Sequence, residues 1–539
     1  MKKFRSMVLI SNGDSSQAKG SEAVIEAFHQ AIEKYDLGSE IYVTTIPDSS
    51  SAKAQPLVIV YPEAVAYGPV MNNDVDYLVS EHLYKGRVAE RLKVSDPFEM
   101  KRISWLLQRT GTMPAENRIV LEYVGVIDPT SINDFLTHDG GQAFATALEM
   151  EPQKIIDIIK KSGLRGRGGA GFPTGIKWQA VRDAPGDKKY IICNADESEP
   201  GTFKDRVILE GNPFSMIEAM LIAGYACGAD EGYIYIRGEY HDALEKITNA
   251  IQASREFGVL GNNILNTGFD FDIHVHSGAG AYICGEETAL LESIEGKRGE
   301  PRPKPPYPTT HGLWGKPTLI NNVETLGNIP PIIQNGADWF RSQGTPSSPG
   351  TKVYTILGNV NKTGLMEVPM GITLREVIGI YGKGMKSGTF KFAQTGGSSG
   401  SIIPAILQDT PMDFDSYRNV GVSLGSGALL ICDDSNCIVD CVRVLMRFFQ
   451  VESCGKCVPC RIGTDQALEI MTAISEGRGT MEHLAQLEWL RQGMEEFSNC
   501  GLGQTAGTPI KNMLDHFRAE VEAHIKLGVC PAGICSMGR

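Results

Sequence analysis

The run from Gly163 to Trp178, GLRGRGGAGFPTGIKW, constrains this chain more than any other stretch. Six glycines fall in thirteen residues, Gly163 to Gly175. Glycine reaches positive φ without a Cβ penalty and lets another group approach the backbone closely. A loop this rich in glycine can aim several N–H groups at one anion. Arg165, Arg167 and Lys177 add positive charge where a phosphate would sit, and Phe172 and Trp178 lie among them. The run follows a helical pattern over Lys154–Lys161. These residues favour phosphate or dinucleotide binding over the alternative, a mobile surface loop.

A chain of 539 residues implies three or four domains, because single cores stop growing near about 250–300 residues. The net charge of −13 argues against nucleic acid as a main partner. No apolar run reaches the roughly 18 residues a membrane span needs. Met7–Ile10 is too short for a secretory leader and reads as a strand. The expectation is a cytoplasmic protein attached to larger partners. Of twelve cysteines none precedes Cys193, and nine lie between Cys432 and Cys535. Cysteines clustered in such a chain point to metal rather than disulfides.

Residues 1–92 read as a small α/β unit. Strands are expected at Met7–Ile10, Ile41–Ile46 and Leu57–Tyr61, with a helix over Gly20–Lys34 (Val24, Ile25, Phe28 and Ile32 at helical spacing) and another from Asp74 to His82. This order is that of a thioredoxin-like domain. Such domains often carry a two-iron cluster on four cysteines, in the loops corresponding to Ser11–Ser16 and Pro47–Ser51. Neither loop has a cysteine, so the reading is a scaffold without its metal, kept for docking or structure. Residues 93–150 read as a connector with turns at Asp128-Pro129 and Asp139-Gly140-Gly141, then a helix from Gln142.

Residues 151–340 carry the ligand chemistry. The apolar strand Lys189–Cys193 ends in Asn194-Ala195-Asp196-Glu197-Ser198-Glu199. Polar groups at the carboxyl end of a strand sit where α/β sheets bind ligands; a solvated acidic turn is the alternative. At Gly278–Leu290 glycines again precede a helix, which Glu286 and Glu287 open. These acids either complement the helix dipole or take sugar hydroxyls. Pro301–Pro308 is a stiff, proline-dense loop holding Tyr307, an aromatic able to stack on a flat ring. Residues 341–425 fit a small β-grasp-like domain in which no chemistry is evident.

From 426 the chain reads as helical. Cys454, Cys457 and Cys460 are spaced C-x₂-C-x₂-C, the local part of a four-iron, four-sulfur site, with Cys500 the best-placed fourth ligand; a zinc site or incidental cysteines are the alternatives. Cys437, His524, Cys530 and Cys535 form a second candidate set, compatible with zinc, against unpaired thiols on a frayed tail.

Four motifs, Gly163–Trp178, Cys193–Arg206, Gly280–Gly296 and Glu452–Thr464, together resemble the NADH-binding flavoprotein subunits of respiratory complex I. That family includes the diaphorase subunits of soluble NAD-linked hydrogenases and formate dehydrogenases. The resemblance runs from about residue 120 to 525. It implies FMN held by Gly166, Arg167, Gly168, Lys177, Asn194, Asp196, Glu197 and Gly285, with Asn321, Asn322 and Thr325 closing the phosphate and ribityl end. It implies NADH near Gly169, Ala170, Phe172, Glu199, Tyr282, Glu286, Glu287 and Tyr307. Electrons would pass to a cluster on Cys454, Cys457, Cys460 and Cys500, and in bifurcating relatives the Cys437, His524, Cys530 and Cys535 group would bind zinc. The implied fold is multidomain α/β and α: a thioredoxin-like domain (1–92), a connector (93–150), a Rossmann-like FMN- and NADH-binding core (151–340), a β-grasp domain (341–425), a helical iron–sulfur bundle (426–525) and a cysteine-containing tail (526–539). The implied partners are a hydrogenase or formate dehydrogenase catalytic subunit and a small iron–sulfur subunit, with ferredoxin if the complex bifurcates electrons. The rival reading is a non-catalytic docking scaffold in such a complex.

Overall fold

The computed structural model describes residues 4–46, 54–61, 63, 65–94 and 118–537. The second of the two loops that would carry cluster cysteines in a thioredoxin-like domain, residues 47–51, lies outside the described residues. The chain divides into two compact units, Met1–Ala115 with Gly125–Gly141, and Glu116–Val124 with Gln142–Arg539. The expected connector is therefore shared. Its part around Ser131 joins the first unit through the Tyr42 and Ser131 hydroxyls, 3.0 Å apart. The backbone N–H groups of Val120 and Leu121 belong to the second unit, where both donate to the buried carboxylate of Glu367 at 3.0 and 2.9 Å.

In the first unit β1 (Ser6–Ser11) pairs in parallel with β2 (Ile41–Ile46) and antiparallel with β3 (Val58–Tyr61), which pairs antiparallel with β4 (Val65–Tyr67). The sheet order is β2-β1-β3-β4. Alternation along β1 sends Val8 and Ile10 to one core, shared with Val24, Phe28 and Ile32 of α1 (Ser21–Lys34), and Met7 and Leu9 to the other. The expected helix from Asp74 is broken into a 3₁₀ turn (Asn72–Asp74), an α turn (Val75–Leu78) and a π stretch (Val79–Tyr84). The π stretch seats buried His82 against the Tyr67 hydroxyl at 2.7 Å.

The second unit is built on a sheet in which β5 (Tyr190–Ala195), β6 (Glu231–Ile236), β8 (Phe269–Ser277) and β9 (Thr318–Asn322) are parallel, and β7 (Gly261–Ile264) pairs antiparallel with β8. Its order is β7-β8-β6-β5-β9. Ile191, Ile192 and Cys193 are fully buried, as strands covered on both faces require. Among its helices are α2 (Pro152–Ser162), α3 (Thr174–Asp183), α4 (Lys204–Gly211), α5 (Pro213–Cys227) and α6 (His241–Phe257). Nearly every residue of α5 is buried, so its all-round apolarity marks a core helix. Among the described residues no single helix is long and apolar enough to cross a membrane.

A second five-stranded sheet contains β10 (Thr351–Gly358), β11 (Gly364–Pro369), β12 (Phe390–Thr395), β13 (Ile402–Pro404) and β14 (Ala428–Asp433), in the order β11-β10-β14-β12-β13, with β10 and β14 parallel. Because β14 completes this sheet, the junction expected at 425 falls after Asp433. The helices α7 (Ile438–Glu452), α8 (Val458–Ser475), α9 (Met481–Phe497), α10 (Gly501–Ala506) and α11 (Thr508–His516) follow, with Val442, Met446, Phe449, Ala467, Met471 and Met513 fully buried in one core. Each large apolar side chain among them contributes roughly 1.5–3 kcal/mol.

Candidate functional site

The glycine run is a closed hairpin between α2 and α3. Gly163 ends α2 at φ 70°, a conformation that favours glycine. The Gly166 N–H donates to the Phe172 carbonyl at 2.8 Å and the Thr174 N–H to the Leu164 carbonyl at 2.9 Å. The loop is thus ordered by its own backbone, with Arg167 to Gly171 at its tip. A Cβ on Gly168 would stand 3.1 Å from Cβ of Asn322, which fixes how closely the tip approaches the end of β9.

The three cations of the run separate. Arg165 donates to the Gly171 carbonyl at 2.8 Å, pairs with Asp415 at 3.0 Å and lies over the Phe414 ring at 4.5 Å. The fully buried Arg167 donates from its guanidinium to the Pro349 carbonyl at 2.7 Å and from its backbone N–H to the Thr325 hydroxyl at 2.8 Å. Asp415 thus holds Arg165 against residues 414–415, whereas Arg167 uses only Nη2 on the Pro349 carbonyl and keeps Nε and Nη1 buried without a partner among the described residues. Lys177 remains, its Nζ 3.2 Å from the Ile320 carbonyl and 3.4 Å from Glu287. Trp178, fully buried, donates to Oδ1 of Asn321 at 3.0 Å.

Parallel pairing sets Asn194 on β5 opposite Asn322 on β9, so both polar strand ends open on the same side as the glycine tip. Asn194 donates to the Gly285 carbonyl at 2.9 Å. Asp196 accepts from the Ser198 hydroxyl at 2.8 Å through Oδ1, while Oδ2 is buried without a partner among the described residues. Burial pushes the Asp196 carboxyl up to about 7. A Cβ on Gly285 would lie 3.5 Å from that Oδ2. Glu197 accepts the backbone N–H groups of Asp205 and Arg206 at 3.0 and 3.1 Å, at the start of α4, and the Tyr240 hydroxyl at 3.2 Å. Burial and the adjacent Asp205 push its carboxyl up. Glu199 accepts from the hydroxyls of Tyr282 and Ser399, and its Oε2 is buried and unpartnered among the described residues. Glu197 and Glu199 line a cavity of about 480 Å³ that also reaches Arg206, Arg237, Tyr240 and Glu452.

Glu286 caps the helix Glu287–Ile294, accepting the N–H groups of Thr288 and Ala289 at 2.8 and 3.0 Å. Lys304 bridges Glu286 and Glu287 at 2.9 and 3.2 Å. Tyr282 is held edge-on to Phe448 at 5.0 Å, whereas Phe172 and Tyr307 are about half exposed. Gly169 and Ala170 occupy the hairpin tip with Gly168.

A buried charge network beneath the strand ends has no signature in the sequence. Lys204 contacts Asp205 at 2.5 Å and Glu324 at 3.0 Å, and Lys352 contacts Glu324 at 2.9 Å. Asn322 donates to Asp205 at 2.6 Å and caps Val323–Gly327 through Oδ1. Sequence reasoning also misses Ser399. Its only signal is the Gly396-Gly397-Ser398-Ser399-Gly400 loop, in a domain without evident chemistry.

Cys454, Cys457, Cys460 and Cys500 converge. Cys457 and Cys500 sit at the N-caps of α8 and α10, and burial foremost pushes the Cys500 thiol up. Burial foremost, with the neighbouring Cys457, Cys500 and Cys454, pushes the Cys460 thiol up to about 11. The ligating atoms of Cys437, His524, Cys530 and Cys535 all lie within 4.8 Å of one another. His524 Nε2 is 3.4 Å and Cys535 Sγ 3.5 Å from Cys437 Sγ, near the separation of about 3.8 Å that tetrahedral zinc–sulfur bonds of about 2.3 Å set. The other His524 nitrogen is 2.8 Å from the Glu520 carbonyl. For Cys530 burial is outweighed by the N–H groups of Cys535 and Ile534, which bring its thiol down to about 6.

Residues 159–331 match the model of the Nuo51 FMN-binding domain, and residues 440–524 that of the NADH-ubiquinone oxidoreductase-F iron–sulfur binding region. The NADP-reducing hydrogenase subunit HndC of Solidesulfovibrio fructosivorans is 48% identical over 428 residues, covering 79% of this chain and 87% of that protein. An NADH-quinone oxidoreductase subunit of Rhizobium meliloti (strain 1021), the one designated F 2, is 47% identical over 415 residues, covering 77% and 99%. The chain belongs to this family. It is an NAD-dependent flavin and iron–sulfur oxidoreductase subunit, with FMN and a four-iron cluster as its cofactors. A crystal structure of an NAD⁺-reducing [NiFe]-hydrogenase in its H₂-reduced state superposes with a TM-score of 0.68 at 30% identity, covering 97% of this chain and 85% of that one. The buried Asp196 Oδ2, without a partner among the described residues, is an acceptor whose chemistry fits a hydroxyl-bearing cofactor such as a flavin nucleotide.

Proposed function

We propose that this chain is the NADH-oxidising subunit of a hydrogenase- or formate dehydrogenase-type complex. Asp196 carries the reading, as a buried acceptor left open just past the end of β5 and beside Gly285. Bound FMN supplies the chemistry, accepting a hydride from NADH and releasing electrons singly. The residues of the chain bind and orient. Gly166 and Gly168 give the flavin's phosphate end close approach to the loop and Arg167 turns its unpartnered Nε and Nη1 to it, closed by Asn321, Asn322 and Thr325, with Lys177 a second cation there. Asn194, Asp196, Glu197 and Gly285 hold the ribityl side. Glu199 and Tyr282 orient the nicotinamide half of NADH beside Gly169 and Ala170, and Glu286, Glu287, Phe172 and Tyr307 receive the adenosine half. Acids near a ribose disfavour a 2′-phosphate, which supports NADH even though one relative is named NADP-reducing. Cys454, Cys457, Cys460 and Cys500 hold the four-iron cluster, and Cys437, His524, Cys530 and Cys535 hold zinc.

The sheet order β2-β1-β3-β4 supports a thioredoxin-like first domain over 1–92. The buried hydroxyls of Ser11 and Ser16 lie 2.8 Å apart at the first of the loops that carry cluster cysteines in such domains. The order β11-β10-β14-β12-β13 supports a β-grasp domain ending at Asp433, between a Rossmann-like core over 151–340 and an iron–sulfur bundle. A hydrogenase-type partner is favoured because the superposition with the hydrogenase structure covers nearly the whole chain. The test is NADH-driven reduction of an artificial acceptor by the chain reconstituted with FMN, iron and sulfide. A colourless, inactive product would favour the docking scaffold.

A further inference from the structure

The nucleotide-binding stretch and the cluster loop are joined by bonds that neither site requires. Arg298 Nη2 donates to the carbonyl of Cys454 at 3.0 Å. Lys456, between two cluster cysteines, donates to the Pro301 carbonyl at 2.9 Å. Both cations face Glu300, at 3.0 and 3.9 Å. From there the strap runs to Arg302, which pairs with Glu295 at 2.8 Å and with Glu292 and donates to the Gly312 carbonyl at 2.9 Å. It continues to Lys304, on Glu286 and Glu287, and ends at Tyr307. One short segment thus touches the cluster's ligand loop at its start and the nucleotide-binding acids at its end. A second link is parallel: the Tyr282 N–H donates to Glu452 at 3.1 Å, two residues before Cys454.

We propose that Lys456 and Arg298 are positioning residues that latch this strap to the cluster loop, so that nucleotide occupancy and the cluster's reduction potential are linked. The inference rests on the FMN, NADH and cluster assignment above. An anionic pyrophosphate competing with Glu286 and Glu287 for Lys304 pulls on a strap already braced by Arg302. The pull is delivered to the Cys454 carbonyl and to the Lys456 ammonium, a positive charge on the ligand loop. Withdrawing positive charge from a cluster disfavours its reduced form, so occupancy lowers the potential. By reciprocity the same ligand binds the oxidised enzyme more tightly than the reduced one.

The test uses the full chain loaded with FMN and cluster, and ADP-ribose, which presents the pyrophosphate but has no nicotinamide to exchange a hydride. The cluster midpoint potential is followed by EPR, with and without saturating ADP-ribose. The expected linkage is about tenfold in ADP-ribose affinity between the two redox states, equivalent to about 59 mV for one electron. Lys456→Met should abolish the ADP-ribose-dependent shift while both cofactors stay bound, and Lys456→Arg should retain it. Lys456 is exposed, so these variants leave the core intact. No shift in the unaltered chain overturns the proposal. So does an equal shift in Lys456→Met, which would mean simple Coulomb interaction through space. A chain that takes up neither flavin nor cluster overturns the underlying assignment and the latch with it, and is told apart by its lack of any signal.

Discussion

Asp196→Asn should stabilise the flavin-free chain, and increasingly so as pH rises. The Asp196 carboxyl is pushed from the ordinary 3.8 to about 7 by burial, with only Ser198 as a hydrogen-bond donor at Oδ1 and none at Oδ2 among the described residues. Between these two values the folded chain holds a proton that the unfolded chain has released. Folded stability at this site is therefore full below about pH 3.8 and is lost as pH rises through 7. The interval corresponds to about 4 kcal/mol at pH 8. Asparagine carries no charge and avoids that loss. Urea unfolding of the flavin-free protein, followed through buried Trp178 and its neighbours, should give curves for the two proteins that diverge from pH 5 to pH 8, the variant being the more stable. With FMN the order should reverse, because a ribityl hydroxyl donating to the carboxylate restores its charge. FMN affinity of the unaltered chain should then rise with pH through 7, and that of Asp196→Asn should stay flat. Parallel unfolding curves, or equal pH dependence of FMN binding, would refute the assignment of Oδ2 as an open, desolvated acceptor.

Three further outcomes follow from named contacts. Glu324→Ala leaves Lys204 and Lys352 buried without their shared carboxylate and should cost about 3–5 kcal/mol in denaturant unfolding; a loss under about 1 kcal/mol would show that water already reaches the network. Cys500→Ala should remove the four-iron EPR signal while the visible flavin band persists, and an unchanged signal would assign the fourth ligand elsewhere. One zinc per chain should be found by elemental analysis and lost in Cys535→Ser with the four-iron signal intact; equal zinc in both proteins would detach Cys535 from that site.

Local chemistry was legible wherever it rested on residue type at fixed spacing. The glycine run, the strand ending at Asn194, the C-x₂-C-x₂-C loop and the Cys437, His524, Cys530 and Cys535 set could be found because each uses residues whose chemistry is unusual. Spacing did not show where a long side chain turns. Arg165 and Arg167 stand two residues apart, yet Asp415, 250 residues on, takes the Arg165 guanidinium, while Arg167 gives one nitrogen to the Pro349 carbonyl, 182 residues on, and keeps two without a partner among the described residues. The Lys204, Glu324 and Lys352 network was invisible for the same reason, since three ordinary charges spread along the chain carry no pattern until strands bring them together. Periodicity failed at Asp74–His82, where an apolar stripe concealed a change from 3₁₀ through α to π geometry. Strand β14 was overlooked because a helical pattern dominates the residues after it.

Anaerobic titration of the reconstituted chain with NADH, read by optical and EPR spectra, tests the central claim most directly. The account predicts bleaching of the flavin band followed by a single reduced iron–sulfur signal from the Cys454, Cys457, Cys460 and Cys500 site. A flavin band that NADH leaves unbleached would contradict it.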